Sequence, residues 1–359
     1  MINYKRIMKK LKVLDLFSGC GGLSAGFKMA GFEINGAIDN DQDSIETLKK
    51  NFKKGKFLVK DINNITQKEI KRTFSGVDVI IGGPPCQGFS NANRWHKNFK
   101  DPRNLLFLKF IEFVKIVKPK MLLIENVGGI LSKSKGKKIN NIKAILEKQG
   151  YKVNYKILDA SEYGVPQIRK RVFIVGNKIN NKNFLNYLKK RKKITVGDAI
   201  SELYALENKK NKQLNGQLAN PYIKYLRRKN SKVINHDIVY PAKSTIRKIK
   251  HVKQGENWMS IPSRLFKNNR NNRHSSAFKR LNEKDFSVTI DTGNAHSNYF
   301  HPVFHRIPSP REAARIQSFK DNFHFFGSRT SQYRQIGNAV PPLLAKEIAY
   351  TFKKIILNK

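Results

Sequence analysis

Short apolar runs alternate with helical segments through the first two-thirds of this chain, and this alternation restricts its fold more than any other feature. The runs are rich in Val, Ile and Leu, as is typical of strands buried on both faces. The predicted strands cover residues 12–17, 34–38, 57–59, 77–81, 121–124 and 172–175, and the predicted helices 22–30, 41–52 and 104–117. Repeated strand–helix units predict an α/β fold with a doubly wound, parallel, Rossmann-like sheet.

A rigid loop follows the predicted strand 77–81. Its sequence is Gly82-Gly83-Pro84-Pro85-Cys86-Gln87-Gly88-Phe89-Ser90. Glycine and proline end the strand and force a turn, which presents Cys86 at the carboxyl edge of the sheet, where ligands of α/β folds bind. A buried structural cysteine is the alternative, because free cysteine is among the most buried residue types.

A glycine-rich turn lies between the first predicted strand and helix, at residues 17–22. Glycine lets a ligand approach the main chain, and the helix that follows offers unpaired N–H groups. Asp39 ends the second strand, about where nucleotide-binding folds hold ribose, and Asp61 follows the third. The glycine spacing differs from the dinucleotide pattern. The arrangement favours an adenosine-containing cofactor, although a tight turn without a ligand is the simpler alternative.

Charged residues accompany two later strands. Glu125 closes the strand that begins at Met121, and Arg169 and Arg171 precede the strand 172–175. Alternation along a strand places both arginines on one face. Beside Cys86, Glu125 is a candidate acid. The alternative is that Glu125 caps a helix or faces solvent. For the two arginines, the alternative is that they are solvated surface cations.

The chain carries a formal net charge of +45 and has a pI near 10.3. Lysine and arginine that displace counterions from phosphates drive binding to nucleic acid, so a polyanionic partner is expected. Lysine and asparagine are abundant throughout, and a compositional bias could supply much of the excess charge.

Two cysteines, Cys20 and Cys86, provide no disulfide framework. No apolar run approaches the ~18 residues that a membrane span needs. We therefore expect a cytoplasmic protein without a membrane segment.

Five short motifs follow one another along the chain: Phe17-Ser18-Gly19-Cys20-Gly21-Gly22, Pro84-Pro85-Cys86-Gln87, Glu125-Asn126-Val127, the run Gln167-x-Arg169-x-Arg171, and Gly337-Asn338-Ala339-Val340-Pro341-Pro342. In this order they resemble the motifs of the bacterial-type cytosine-C5 DNA methyltransferase family, and the resemblance covers about residues 11–200 and 280–355. The resemblance implies an S-adenosylmethionine-dependent enzyme with a methyltransferase sheet of the Rossmann type and no metal.

The resemblance also implies catalytic roles. Cys86 would add as a thiolate to C6 of cytosine, and Glu125 would help protonate N3. Arg171, together with Arg169, would hold the base near O2. The base that removes the C5 proton is left unassigned.

The family's cofactor residues can be carried over by motif. Asp39 stands where the family usually has Glu, and the segment 286–290 lacks the two prolines of the family's pattern, from which a local packing change is expected. The resemblance assigns the cofactor to Phe17, Ser18, Gly19, Gly22, Asp39, Asp61, Ile62, Pro84, Leu106 and Asn338.

A base inside a duplex must be flipped out before it can be methylated, so a second body must grip the DNA. We expect residues 1–200 and 290–359 to form the catalytic domain, and residues 201–289 to form an inserted target-recognition domain. We expect the last helix, 343–356, to pack beside the first strand. Arginine reads base edges and also binds phosphates, and the candidate DNA contacts are Arg264, Arg270, Arg273 and Arg280.

The leading hypothesis is a monomeric DNA cytosine-C5 methyltransferase that acts on a short duplex sequence in a restriction–modification system. A cognate restriction endonuclease acting on the same site is then a possible partner. Methylation of a structured RNA is the second hypothesis, against which the long basic insert argues. A catalytically dead DNA-binding protein is the third, against which Cys86, Glu125 and the arginines argue.

Overall fold

A computed structural model describes residues 10–85, 102–132, 136–180, 183–210, 213–266, 277–291 and 299–357. The helices are α1 Gly22–Met29, α2 Gln42–Asn51, α3 Gln67–Phe74, α4 Pro102–Val117, α5 Gly129–Ser132, α6 Lys137–Glu147, α7 Val196–Ile200, α8 Pro221–Leu226, α9 Lys243–Ile249, α10 Pro310–Ile316, α11 Arg329–Asn338 and α12 Pro342–Ile356. The strands of the main sheet are β1 Lys12–Leu16, β2 Glu33–Asp39, β3 Lys56–Val59, β4 Val79–Gly82, β5 Met121–Val127, β6 Lys152–Asp159 and β7 Lys170–Asn177.

The seven strands form one sheet in the order β3-β2-β1-β4-β5-β7-β6. The first five are parallel, as the sequence predicts, whereas β7 runs antiparallel to both β5 and β6. The prediction of a wholly parallel sheet is therefore wrong at this edge. Residues 160–169, which join β6 to β7, form a connection shorter than the dozen or so residues that a parallel crossover requires.

Helices cover both faces of the sheet because the side chains of each strand alternate between two cores. Val13 and Ile81 belong to the core beneath α1, α2 and α12, while Leu14 and Ile80 belong to the core beneath α3, α4 and α6. The central strands carry apolar side chains on both faces of the sheet, as expected when helices cover both faces.

Helix α4 has the narrow polar stripe expected from its sequence. Phe110 and Phe113 are fully buried against the sheet, and Lys109 pairs with Glu112 at 2.9 Å on the polar side. Leu108 is an exception, because its side chain is exposed.

Helix α12 packs against α1, and its buried side chains share one core with Val13 of β1, in agreement with the sequence expectation. The two helices approach closely at Gly26, where an added Cβ would lie 2.6 Å from the main-chain nitrogen of Lys346 and would overlap the side chain of Ala345. A residue without a side chain is required at this crossing.

Four short strands, β8 Gln213–Leu214, β9 Ser231–Lys232, β10 Lys279–Arg280 and β11 Tyr299–Phe300, lie in and beside the predicted insert. Helix α8 of this region buries Tyr222, Ile223 and Leu226 in the same core as α1 and α12. None of the helices in the described ranges has the length and apolar character needed to span a bilayer.

The α1–α12 crossing predicts a stability effect. We expect Gly26→Ala to lower the free energy of unfolding by up to ~2 kcal/mol, because an overpacking cost of about 1–3 kcal/mol outweighs the helix-propensity gain of about 1 kcal/mol. Gly128→Ala is the matched control, since an added Cβ there meets nothing within 4 Å. Urea unfolding followed by circular dichroism measures both variants, and equal midpoints for the two would contradict the packing argument.

Candidate active site

A cleft of about 850 Å³ opens along the carboxyl edge of the parallel strands. Residues that follow β1, β2, β3 and β4 line it, together with the last residues of β5, the start of β7 and the segment that joins α11 to α12. Because β7 is antiparallel, its first residues lie at the same edge as the last residues of the parallel strands.

The glycine turn after β1 forms one end of the cleft. Phe17, Gly19 and Gly21 all have positive φ angles, of 56°, 49° and 87°. The main-chain N–H of Gly19 donates to Asp39 Oδ2 at 2.8 Å, so the turn is tied to the end of β2. A Cβ at Gly22 would lie 3.1 Å from the nitrogen of Val340 and would overlap its carbonyl, so α1 begins directly against the α11–α12 segment.

Two aspartates stand beside this turn. Asp39 also accepts from the N–H of Asp41 at 3.0 Å, and burial raises its pKa. Asp61 caps a short 3-10 helix by accepting from Asn63 N at 2.9 Å. Each carboxylate has about four acceptor positions, so both aspartates can bind a ligand donor as well.

Glu125 and Arg171 meet at the other end of the cleft. Arg171 Nε lies 3.1 Å from Glu125 Oε1, and both side chains are largely buried. Burial raises the pKa of Glu125, and the charges of Arg171 and Arg169 oppose that rise without cancelling it. Gly83 leaves room for the carboxylate, since a Cβ there would lie 3.1 Å from Glu125 Oε2.

The pairing register of the sheet explains this contact. Arg171 lies opposite Val127 across the antiparallel pair β5–β7, and Glu125 is two residues from Val127 on the same strand. Residues two apart on a strand share a face, so the guanidinium reaches the carboxylate diagonally. The sequence places both residue types correctly but does not reveal the strand direction that brings them together.

The loop after β4 enters the cleft at Pro84 and Pro85. Asn126 Nδ2 donates to the carbonyl of Pro84 at 2.9 Å, and Asn126 is buried. This bond anchors the last described residues before Cys86. Cys86 itself lies outside the described residues.

Arg169 lines the cleft, but its guanidinium donates hydrogen bonds to main-chain carbonyls of the protein interior. Its side chain is 2% exposed, and its guanidinium donates to the carbonyls of Ile290, Gly337 and Asn338. Burial and the neighbouring Arg171 lower the pKa of Arg169 to about 9, so it is protonated at neutral pH.

Every cofactor residue that the sequence predicts lies on the wall of this one cleft, as do Glu125, Arg169 and Arg171. The predicted cofactor residues on this wall are Phe17, Ser18, Gly19, Gly22, Asp39, Asp61, Ile62, Pro84, Leu106 and Asn338. Sequence reasoning missed Asn40, Asp41, Ser44, Lys60 and Arg334, which also line the cleft. Their positions directly after β2 and β3, or just before Gly337, are the signal that could have identified them.

The sequence profile of the C-5 cytosine-specific DNA methylase family matches residues 11–354. The chain belongs to this family. It is a DNA (cytosine-5-)-methyltransferase, and enzymes of this family use S-adenosylmethionine as the methyl donor.

Curated relatives and solved structures agree with this assignment. The methylase is 36% identical to the type II methyltransferase M.DdeI of Desulfomicrobium norvegicum, over 94% of this chain and 88% of the relative. It is 34% identical to the type II methyltransferase M1.HphI of Haemophilus parahaemolyticus, over 97% and 88%. A protein from an E. coli prophage, described as a DNA modification methyltransferase, matches with a TM-score of 0.76 and 28% identity over 98% of this chain and all of that one.

The cleft of the methylase fits S-adenosylmethionine. Asp39 and Asp61 offer acceptors for the hydroxyls and the exocyclic amine of adenosine, and Phe17 offers an aromatic face. At the glycine turn, an added Cβ at Gly19 would meet nothing within 4 Å, so the main chain is open there and a methionine group could lie against it. Among the described residues, no group of three or more His, Cys, Asp or Glu side chains is arranged to hold a metal ion.

The four arginines proposed as DNA contacts differ in environment. Arg264 is exposed, whereas Arg270 and Arg273 lie outside the described residues. The structure departs from the sequence prediction at Arg280, which is 7% exposed and donates to main-chain carbonyls, including Val252 at 2.9 Å. The bonds of this guanidinium favour a structural role.

Asp15 of the methylase generates a pH prediction. It is fully buried beneath the glycine turn, where Ser24 Oγ donates to Oδ2 at 2.6 Å, and burial raises its pKa from 3.8 to about 8. The folded state therefore binds this proton more tightly than the unfolded state. Stability should fall as pH rises between about 4 and about 8, by up to ~1.4 kcal/mol per pH unit from this group.

Asp15→Asn should remove this dependence while preserving an acceptor for Ser24. Urea unfolding at about pH 5 and about pH 8 measures it, and the variant should gain stability relative to the parent at the higher pH. If the free energies of unfolding of parent and variant differ by the same amount at both pH values, the raised pKa assigned to Asp15 is contradicted.

Proposed function

We propose that this methyltransferase modifies cytosine in a short duplex DNA sequence as the modification enzyme of a restriction–modification system. The relatives named type II methyltransferases support this role. The single observation that carries the chemistry is the Glu125–Arg171 pair, which shares one cleft with the glycine turn and with the prolines that lead to Cys86.

The reaction begins with the Cys86 thiolate, which forms a bond to C6 of the flipped cytosine and makes C5 nucleophilic. Glu125 donates a proton or a hydrogen bond to N3 as negative charge develops there. Its raised pKa suits this role because burial disfavours the ionised carboxylate.

Arg171 positions both Glu125 and the base. Its Nε holds the carboxylate at 3.1 Å, and its remaining donors can reach the O2 side of a cytosine in the cleft. The positive charge also favours the thiolate of Cys86.

When bound, S-adenosylmethionine would supply the methyl group that C5 attacks, and its sulfur would leave as the neutral thioether of S-adenosylhomocysteine. Asp39 and Asp61 would orient the cofactor, and Gly19 would allow it to approach the main chain. After methylation, a base removes the C5 proton, and the bond between C6 and Cys86 breaks to regenerate the thiolate.

Residues 201–289 form the target-recognition domain in this proposal, inserted between catalytic segments 1–200 and 290–359. We propose that Arg264, Arg270 and Arg273 contact DNA, that the enzyme is a cytoplasmic monomer, and that a cognate endonuclease cleaves the same sequence when it is unmethylated.

Labelled methyl transfer tests the reaction. The parent should label duplex DNA and not total tRNA, and bisulfite sequencing should place the product at cytosine within one short motif. Cys86→Ala should abolish transfer but retain salt-sensitive DNA binding.

Cys20→Ser is the matched control for Cys86→Ala. The Cys20 thiol donates to the carbonyl of Gln335, and a serine hydroxyl can replace that bond, so methylation should persist. Transfer by Cys86→Ala would overturn the mechanism, and label on tRNA alone would overturn the DNA substrate.

The basic insert generates a separate prediction. Arg264→Gln should weaken DNA binding without changing the melting temperature, because Arg264 is exposed. A lost phosphate contact should reduce the salt slope of the binding constant by ~0.9. Arg280→Gln should instead lower the melting temperature because Arg280 is buried. Fluorescence anisotropy at several salt concentrations measures DNA binding, and thermal melting measures stability, so together they distinguish the two variants.

A further inference from the structure

The last turn of α11 ends inside the cleft, and buried side chains cap all four of its terminal carbonyls. A helix leaves its last four carbonyls without partners in the helix. Here Cys20 Sγ donates to Gln335 O, Gln317 Nε2 to Ile336 O, and Arg169 Nη2 to Gly337 O and Asn338 O. The donors come from three distant parts of the chain.

Arg169 supplies the charged part of this cap. Its Nη2 lies 2.8 Å from Gly337 O and 3.4 Å from Asn338 O, and its Nη1 lies 3.3 Å from Ile290 O. A cation at a helix C-terminus is favoured by the helix dipole. With two nitrogens bonded to three carbonyls, the guanidinium fixes the end of α11 relative to β7 and residue 290.

Gln317 supplies the neutral part. Its Nε2 lies 2.7 Å from Ile336 O and 3.3 Å from Ala339 O, and its Oε1 accepts from Gln167 Nε2 at 2.8 Å. Gln167 in turn accepts from Ile290 N at 2.9 Å. All these amide groups are buried, so the orientation of each determines that of the next.

The capped segment forms part of the cofactor end of the cleft. Gly337, Asn338, Ala339 and Val340 line the cleft, and Val340 lies against the start of α1 at Gly22. A shift of the α11 terminus would therefore move the wall that faces the cofactor.

We propose that Arg169 is a positioning residue for cofactor binding and not a contact to the target base, and that Gln317 acts with it. This inference rests on the proposed use of the cleft for S-adenosylmethionine. It divides the two arginines at the start of β7: Arg169, just before the strand, holds the cofactor wall, while Arg171 serves Glu125 and the base.

Arg169→Lys tests the division because lysine keeps the charge but cannot fork between Gly337 and Asn338. Isothermal titration without DNA should show S-adenosylmethionine binding weakened by about tenfold to a hundredfold, the order expected when hydrogen bonds from a charged donor are lost. Single-turnover methyl transfer at saturating cofactor should change by less than about threefold. Arg171→Lys should give the reverse pattern, with unchanged cofactor affinity and a much slower transfer.

Arg311→Lys is the matched control for damage to a buried arginine. Arg311 is fully buried and donates to the carbonyls of Ile234, Lys320 and Phe323, away from the cleft. It should lower the melting temperature and leave cofactor affinity unchanged. Equal loss of affinity in Arg311→Lys and Arg169→Lys would reduce the role of Arg169 to general stability and overturn the proposal.

Gln317→Met provides a second test if Arg169→Lys does not fold. It removes the donor to Ile336 O at similar volume, and cofactor affinity should fall while the saturated rate persists. The positioning role would be overturned if the folded variants bind S-adenosylmethionine as tightly as the parent. It would also be overturned if Arg169→Lys transfers methyl at saturating cofactor as slowly as Arg171→Lys. A parent that binds no S-adenosylmethionine would instead overturn the function on which the inference rests.

Discussion

The antiparallel pairing of β5 with β7 is the constraint on which the active site depends. In a wholly parallel sheet, the first residues of β7 would lie at the amino edge, on the side opposite the ligands. Reversal of this strand brings Arg171 to within 3.1 Å of Glu125 and places Arg169 under the end of α11. The short connection from β6 to β7 enforces the reversal, so a loop length determines which charges meet in the cleft.

Buried arginines connect the region after β7 to the C-terminal segment. Arg315 of α10 pairs with Asp321 and with Glu202 of the insert, and Arg306 pairs with Glu207 and Glu312. Such pairs lose hydration on burial, and removing one partner leaves an uncompensated charge. The region after β7 is thus attached by groups that tolerate little rearrangement, as the proposed recognition domain would need in order to hold DNA at a fixed distance from the cleft.

Much of the fold and most of the candidate site could be predicted from sequence because the signals are local. Val, Ile and Leu runs identify the strands of the main sheet except β6, an edge strand that is largely polar and exposed and was not predicted. Residues such as Gly19, Asp39 and Glu125 lie at or just after strand ends, which the topology collects at one edge. Strand direction, the packing of α12 on α1 and the burial of Arg280 could not be predicted, because each depends on contacts between residues distant in sequence. Arg169 and Arg171 illustrate the limit: two residues apart on one strand face, they differ in the partners that the fold supplies.

The cofactor wall joins residues from both ends of the chain, and this has a consequence for folding. Cys20 bonds to Gln335, and Thr47 bonds to the side chain of the same residue, across separations of 315 and 288 positions. Contacts of such high order form late, because closure of a long loop costs entropy before any contact compensates for it. During synthesis at ~5–20 residues per second, a nascent chain would wait many seconds for α11 to appear. Until α11 has formed and docked, the cofactor cleft is incomplete. A bound cofactor stabilises only the state that it binds, so it could stabilise only chains in which α11 has already docked.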